Sequence, residues 1–282
     1  MTALFALASA VLVGGADFVG GLTSRRAPAV VVAASAQALG LLVGIPLALV
    51  YGFDALSATD VLFSLLSGAF VGIGLVLFYV AMSGGLISLA APVTAVVGAL
   101  LPATVGFARG ERPGTTALVG IPLALVAVAI VSLAPEDATA QAKARVSRAV
   151  VLAVGAGVLF GLFFVVLAEV SEDAGMWPVP LQRLMSTLVL VPLALALRAP
   201  LLTAARSVAT PALSIALLEV SATVFLLLAL QRGPLAVASV LASLYPVTTV
   251  LLAAAVVGER LSRAQLSGVV LALVAVALVS AG

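Results

Sequence analysis

Three ionisable side chains, Asp17, Arg183 and Glu219, interrupt runs of apolar residues in a chain whose other charges gather between such runs. A charge kept inside lipid is expensive, about 2.5–3.5 kcal/mol on insertion scales, so it ordinarily faces a cavity or a partner. A carboxylate there suits a proton or a cation; a guanidinium suits a carboxylate or an amide. Asp17 lies in Gly14-Gly-Ala-Asp-Phe-Val-Gly-Gly21, where four glycines let another backbone or a ligand come close. It is either a cation- or proton-binding group on a translocation path or an acid that reaches headgroups from a helix end. Glu219 stands near the middle of its apolar run, with Ser214, Ser221 and Thr223 beside it in sequence. It suits proton coupling in a chain without histidine, or a structural ion pair with Arg183, and the two roles are compatible. Arg183 follows Trp177-Pro178-Val-Pro180, and Gln37 lies well inside the second run. Both are substrate contacts in one reading and helix glue in the other.

Hydroxyls beside prolines form a second group. Pro92, Pro102 and Pro246 interrupt helical runs and free carbonyls that lipid does not tolerate, so their helices should line protein or water. Thr94, Thr104, Ser239, Ser243, Tyr245 and Thr248 lie nearby, and Tyr245 is the preferred contact among them. Ser239 and Ser243 share a helix face at i and i+4, which is equally a packing surface. Glu111 and Glu259 sit at run ends, where Ser262-Arg-Ala-Gln265 reads as a capping box, so they are expected to be structural.

These residues must be held by elements that live in a bilayer. The chain has 282 residues, 64% of them apolar and 9% charged, with a mean hydropathy of +1.35. Twenty-four charged side chains cannot solvate a soluble fold of this size. The net charge of +2 does not imply nucleic acid, because the arginines mark run ends. With no Cys and no His, disulfide, zinc and haem chemistry are not expected, nor is any cofactor. No H-E-x-x-H, G-x-S-x-G or P-loop is present, so an enzyme is not expected.

Ten apolar runs, each near the ~20 residues a span needs, cover approximately 3–23, 28–51, 60–82, 86–107, 115–134, 149–170, 179–198, 210–231, 234–257 and 264–281. The first is followed, not preceded, by its arginines, so it reads as a retained helix and not a signal peptide. The polar stretch 135–148 divides the chain into 1–134 and 149–282. Residues 81–132 laid over 229–280 without a gap agree at 17 of 52 positions, including Gly110-Glu-Arg112 with Gly258-Glu-Arg260. The register runs back to Gly14 over Gly161. This is an internal duplication. Five spans per copy is an odd number, so the copies enter from opposite sides, and the expected fold is an all-α membrane protein of two inverted five-helix repeats. The charges are not duplicated, since Asp17 overlays Phe164, Glu219 overlays Val71 and Arg183 overlays Gln37.

Ala229-Leu-Gln-Arg-Gly-Pro234, Tyr245-Pro246 and Gly258-Glu-Arg-Leu-Ser262, with the weaker first copy Ala81 to Gly85 and Gly110-Glu-Arg112, resemble the EamA-type transporters of the drug/metabolite transporter superfamily. In the first copy Pro92 and Pro102 are displaced from the family position, which falls on Gly98. The resemblance implies a multi-pass carrier of the bacterial inner membrane that exchanges small metabolites, amino acids or drugs, often outward. The expected partners are a small-molecule substrate, the bilayer and protons, with the chain acting as a monomer or weak dimer. A channel or a non-transporting scaffold is the alternative. Loops after odd-numbered runs hold nine Lys and Arg against three in the others, which puts both termini outside, whereas the resemblance puts both inside.

Overall fold

A computed structural model describes residues 2–53, 55–108, 114–131, 139–232, 242, 244–258 and 263–281. Described residues form helices and turns, with no strand among them. In chain order the helices are α1 (Thr2–Thr23), α2 (Ala29–Tyr51), α3 (Ala58–Ser83), α4 (Ile87–Ala108), α5 (Thr115–Val131), α6 (Ala140–Leu167), α7 (Pro178–Ala196), α8 (Leu201–Ser207), α9 (Ala209–Arg232), α10 (Tyr245–Leu252) and α11 (Arg263–Ser280). A π-helical turn, Ala253–Val257, prolongs α10 until Gly258, at φ 69°, ends it. A 3₁₀ turn, Glu172–Ala174, precedes α7.

Among the described residues six helices are long and apolar enough to cross a membrane: Leu4–Thr23, Ala29–Tyr51, Ala58–Ser83, Ala140–Leu167, Pro178–Ala196 and Ala209–Ala229. Shorter apolar helices at Ile87–Pro102, Leu118–Ala127, Tyr245–Val257 and Leu266–Leu278 fall on the expected fourth, fifth, ninth and tenth runs. Two features differ from the sequence reading. The second half of the 135–148 stretch is helical, because Thr139 caps α6 by accepting from the Ala142 N–H at 3.2 Å. The short helix α8 fills the connection after α7, laying Leu201, Ala204 and Ala205 against Val30 and Val31 at the start of α2.

Burial runs inside out relative to a water-soluble fold. Asp17, Gln37, Arg183 and Glu219 are buried, while Leu4, Leu42, Leu49, Leu62, Leu125 and Val151 face outward. That distribution suits lipid, where backbone groups close on themselves and apolar side chains meet the solvent.

The helices approach closely because small residues sit where they cross. In α3, Gly68 faces the Gln182 backbone and Gly72 faces Ser186 of α7, whose hydroxyl donates to the Gly68 carbonyl. In α6, Gly157 faces Val97 and the Thr94 carbonyl of α4, and Gly161 faces Leu101. Both pairs are G-x-x-x-G steps on one helix face. A Cβ at Gly68 or Gly157 would overlap the neighbouring helix, so these contacts exist only with glycine.

One end of the bundle is latched through loops. The α2–α3 connection meets the α6–α7 connection: the Ala55 N–H donates to the Asp173 carbonyl, and Phe53 packs edge-on to Trp177 with ring centroids 6.0 Å apart. Gly175, at φ 57°, presses on the Gly52 carbonyl, where a side chain would be strained and would clash. Asp60 is the hub. It completes a capping box with Ser57 at the start of α3, then accepts from the Ser171 N–H at 2.8 Å and the Ser171 hydroxyl at 3.1 Å.

Candidate functional site

Four helices meet at a buried polar knot. From α7, one Arg183 guanidinium nitrogen, Nη1, reaches Glu219 Oε2 of α9 at 2.7 Å and Gln37 Oε1 of α2 at 2.8 Å. Gln37 Nε2 then donates to the same Glu219 oxygen at 2.9 Å, closing a triangle across three helices. Arg183 Nη2 donates to the Thr223 hydroxyl at 3.3 Å, and Thr223 in turn donates to the Glu219 carbonyl at 2.8 Å. The fourth helix, α3, brings Tyr79 to the same carboxylate.

Local sequence explains how these groups reach one another. Glu219 stands ~15 Å along α9 from its first residue at 1.5 Å per residue, half of a ~30 Å hydrocarbon core. Pro178 at the first turn of α7 starts that helix without an orphan N–H, which puts Arg183 within the bundle and not at its rim. Gly40 of α2 leaves room for the Arg183 stem, whose Cδ lies 3.3 Å from where a Cβ would stand. Arg183 is accordingly 4% exposed and paired, and does not reach the interface.

Asp17 joins the knot electrostatically. It is 5% exposed and lies within range of Glu219, Tyr79 and Tyr245. The glycines around it now have specific duties. Gly14 receives the Tyr245 carbonyl and Thr248 of α10, and Thr249 donates to the Gly14 carbonyl at 3.2 Å. Gly20 receives the hydroxyl end of the Tyr79 ring, and Gly21 receives Met82. With side chains at Gly14 and Gly20, α1 could approach neither tyrosine.

Charge counting gives the chemical character of the knot. Two carboxylates, Asp17 and Glu219, share one guanidinium, so when both are ionised the site holds one negative charge in excess. Glu219 is matched by Arg183; Asp17 has no cationic partner among the described residues. Among the described residues Arg183 Nε is buried without a hydrogen bond, and the Tyr79 hydroxyl is buried beside the Glu219 carboxylate.

Other expected site residues stand apart. Thr94 donates to the Ala153 carbonyl at 3.0 Å, tying α4 to α6 away from the knot. Thr104 and Ser214 bond back to their own helices at Leu101 and Thr210. Ser239, Ser243, Glu111 and Glu259 lie outside the described residues. Tyr79 was missed by sequence reading. Its only signal was a tyrosine near the end of an apolar run, one of three tyrosines in the chain.

The model of the EamA-like transporter family matches residues 147–281, which include Arg183, Glu219 and Tyr245. No curated protein matches the chain significantly.

Proposed function

We propose, starting from the chain's membership of the EamA-like transporter family, that it is a secondary carrier which exports small cationic or amphipathic solutes in exchange for protons. Membership gives a transporter-type membrane protein. The observation that carries the rest is Asp17, a buried carboxylate beside an ion pair that has already used the guanidinium at the centre. A site with one spare negative charge accepts either a proton or one monovalent cation, and mutually exclusive occupancy is what exchange requires. Tyr79 and Tyr245 add aromatic faces that suit an organic cation.

Ten spans in two inverted repeats, in a bacterial inner membrane, complete the proposal. Helix pairing supports it. A two-fold axis in the membrane plane relates α1 to α6, α2 to α7, α3 to α9, α4 to α10 and α5 to α11, and it demands that contacts come in matched pairs. Accordingly α3 packs on α6 as α1 packs on α9, α4 on α6 as α10 on α1, and α3 on α7 as α9 on α2. α2 meets α7, and α5 meets α11, each its own counterpart. Gly161 opens α6 to Leu101 of α4, as Gly14, its overlay, opens α1 to Thr248 of α10.

The test is a solute screen on the purified protein followed by flux. Organic cations such as tetraphenylphosphonium and ethidium should raise the unfolding temperature more than amino acids or neutral sugars, because a ligand stabilises the state it binds. In proteoliposomes their movement should saturate and should respond to an imposed pH gradient. Unsaturable flux indifferent to that gradient would favour a channel, and absence of both binding and flux across the panel would favour a scaffold.

A further inference from the structure

The end of the bundle opposite the Asp60 latch carries arginines that the central knot does not use. Arg145 and Arg148, in the polar first turns of α6, border a cavity of about 190 Å³ together with Gly84 of the α3–α4 turn. Val80, Leu86 and Leu152 supply an apolar part of its lining. Arg25, from the α1–α2 turn, comes to the other side of the same turn: its Nη2 lies 3.9 Å from the Cβ position of Gly85, and the Arg145 stem lies 3.7 Å from that of Gly84.

Among the described residues these cations have no anion partner. Arg25 Nε and Nη2 are buried with no hydrogen-bond partner, and so is the neighbouring Ser24 hydroxyl. Arg25, Arg145 and Arg148 make no ion pair with any described carboxylate. Guanidinium nitrogens withdrawn from water without an acceptor, as those of Arg25 are, are unfavourable, and the exposed Arg145 and Arg148 beside the same glycine turn add mutual repulsion. An anion between them removes both costs. Positive charge at span ends is explained by topology alone, but topology does not explain why nitrogens of Arg25 are buried.

We propose that this turn is a binding site for the phosphodiester of an anionic phospholipid. Guanidinium groups suit phosphate oxygens, to which they present paired N–H donors. The cavity is large enough for the phosphate, and Val80, Leu86 and Leu152 give the adjoining part of an acyl chain an apolar lining. A free phosphate would gain nothing from Val80, Leu86 and Leu152, which is why the lipid is the source the lining favours. The lipid would bridge the starts of α2 and α6 to the end of α3, and so fasten the end of the bundle that the loop latch leaves unfastened.

The test is lipid binding by native mass spectrometry of the detergent-purified full chain, with thermal unfolding as a second readout. Phosphatidylglycerol should bind and stabilise, and phosphatidylcholine of the same acyl chains should not. Arg25→Gln with Arg145→Gln and Arg148→Gln should weaken phosphatidylglycerol by about fivefold per charge removed. Should that triple variant fail to fold, Arg148→Gln alone, at an exposed position, should show the single step. Equal retention of phosphatidylcholine, or undiminished phosphatidylglycerol binding by Arg148→Gln, would overturn the site. Displacement of the lipid by millimolar inorganic phosphate, with the same thermal protection, would overturn the lipid assignment in favour of a soluble anion.

Discussion

Glu219 and Asp60 are both buried carboxylates, and the molecule satisfies them in opposite ways. Asp60 stands at a helix start and receives neutral donors: the Ser171 N–H and hydroxyl and the Ser57 N–H. Glu219 lies mid-helix, where the backbone has no spare N–H, and must be met by a guanidinium and an amide from two other helices. The first arrangement closes completely and fastens two loops. The second leaves Asp17 over, buried without a cation of its own among the described residues. Neutral satisfaction makes a latch, whereas charged satisfaction leaves a remainder, the spare carboxylate from which the proposed exchange starts.

The largest effect should come from breaking the charged side of this contrast. Arg183→Ala leaves Glu219 buried beside Asp17 with no cation and should cost about 3–5 kcal/mol in unfolding experiments in detergent. Arg183→Leu combined with Glu219→Leu removes both charges and should restore most of that stability while transport stays lost. A double variant as unstable as Arg183→Ala would mean that the pair serves packing and not charge balance. Next in size, Gly68→Ala pushes a methyl into the Gln182 backbone and should cost about 1–3 kcal/mol, since α3 and α7 carry both the knot and the latch.

On the neutral side, Asp60→Ala removes one half of the capping box and the bonds to Ser171 and should cost about 1–2 kcal/mol, seen as a fall in unfolding temperature, with saturable flux intact. Lost flux in a stable Asp60→Ala protein would make the latch part of the transport cycle. Smallest is Tyr79→Phe, which removes a buried hydroxyl beside the Glu219 carboxylate and should change stability by no more than about 1 kcal/mol. Its solute affinity should nonetheless fall; unchanged affinity would remove the hydroxyl from the site.

The same contrast explains what the sequence discloses. Asp17, Gln37, Arg183 and Glu219 announce themselves because a polar group in an apolar run needs a reason, and the structure brings them together. Asp60 gives no such signal. It sits at the edge of a run, as many surface acids do, and its second partner lies 111 residues away, on a backbone atom that every residue type carries. Gly20 was legible as an opening in α1, but not as the seat for Tyr79, because a notch does not name what fills it. Small helix α8 was missed for a related reason: its seven residues are too few to show a period, and it exists by packing on Val30 and Val31.

The central claim is that Asp17 is the spare charge whose occupancy alternates between a proton and a solute. It is tested most directly by proton flux in proteoliposomes loaded with a pH dye, comparing the native chain with Asp17→Asn. Adding a solute that stabilises the native protein should drive proton movement there, whereas Asp17→Asn, folded and with the Arg183–Glu219 pair intact, should show none. Proton movement of equal rate through folded Asp17→Asn would contradict the account.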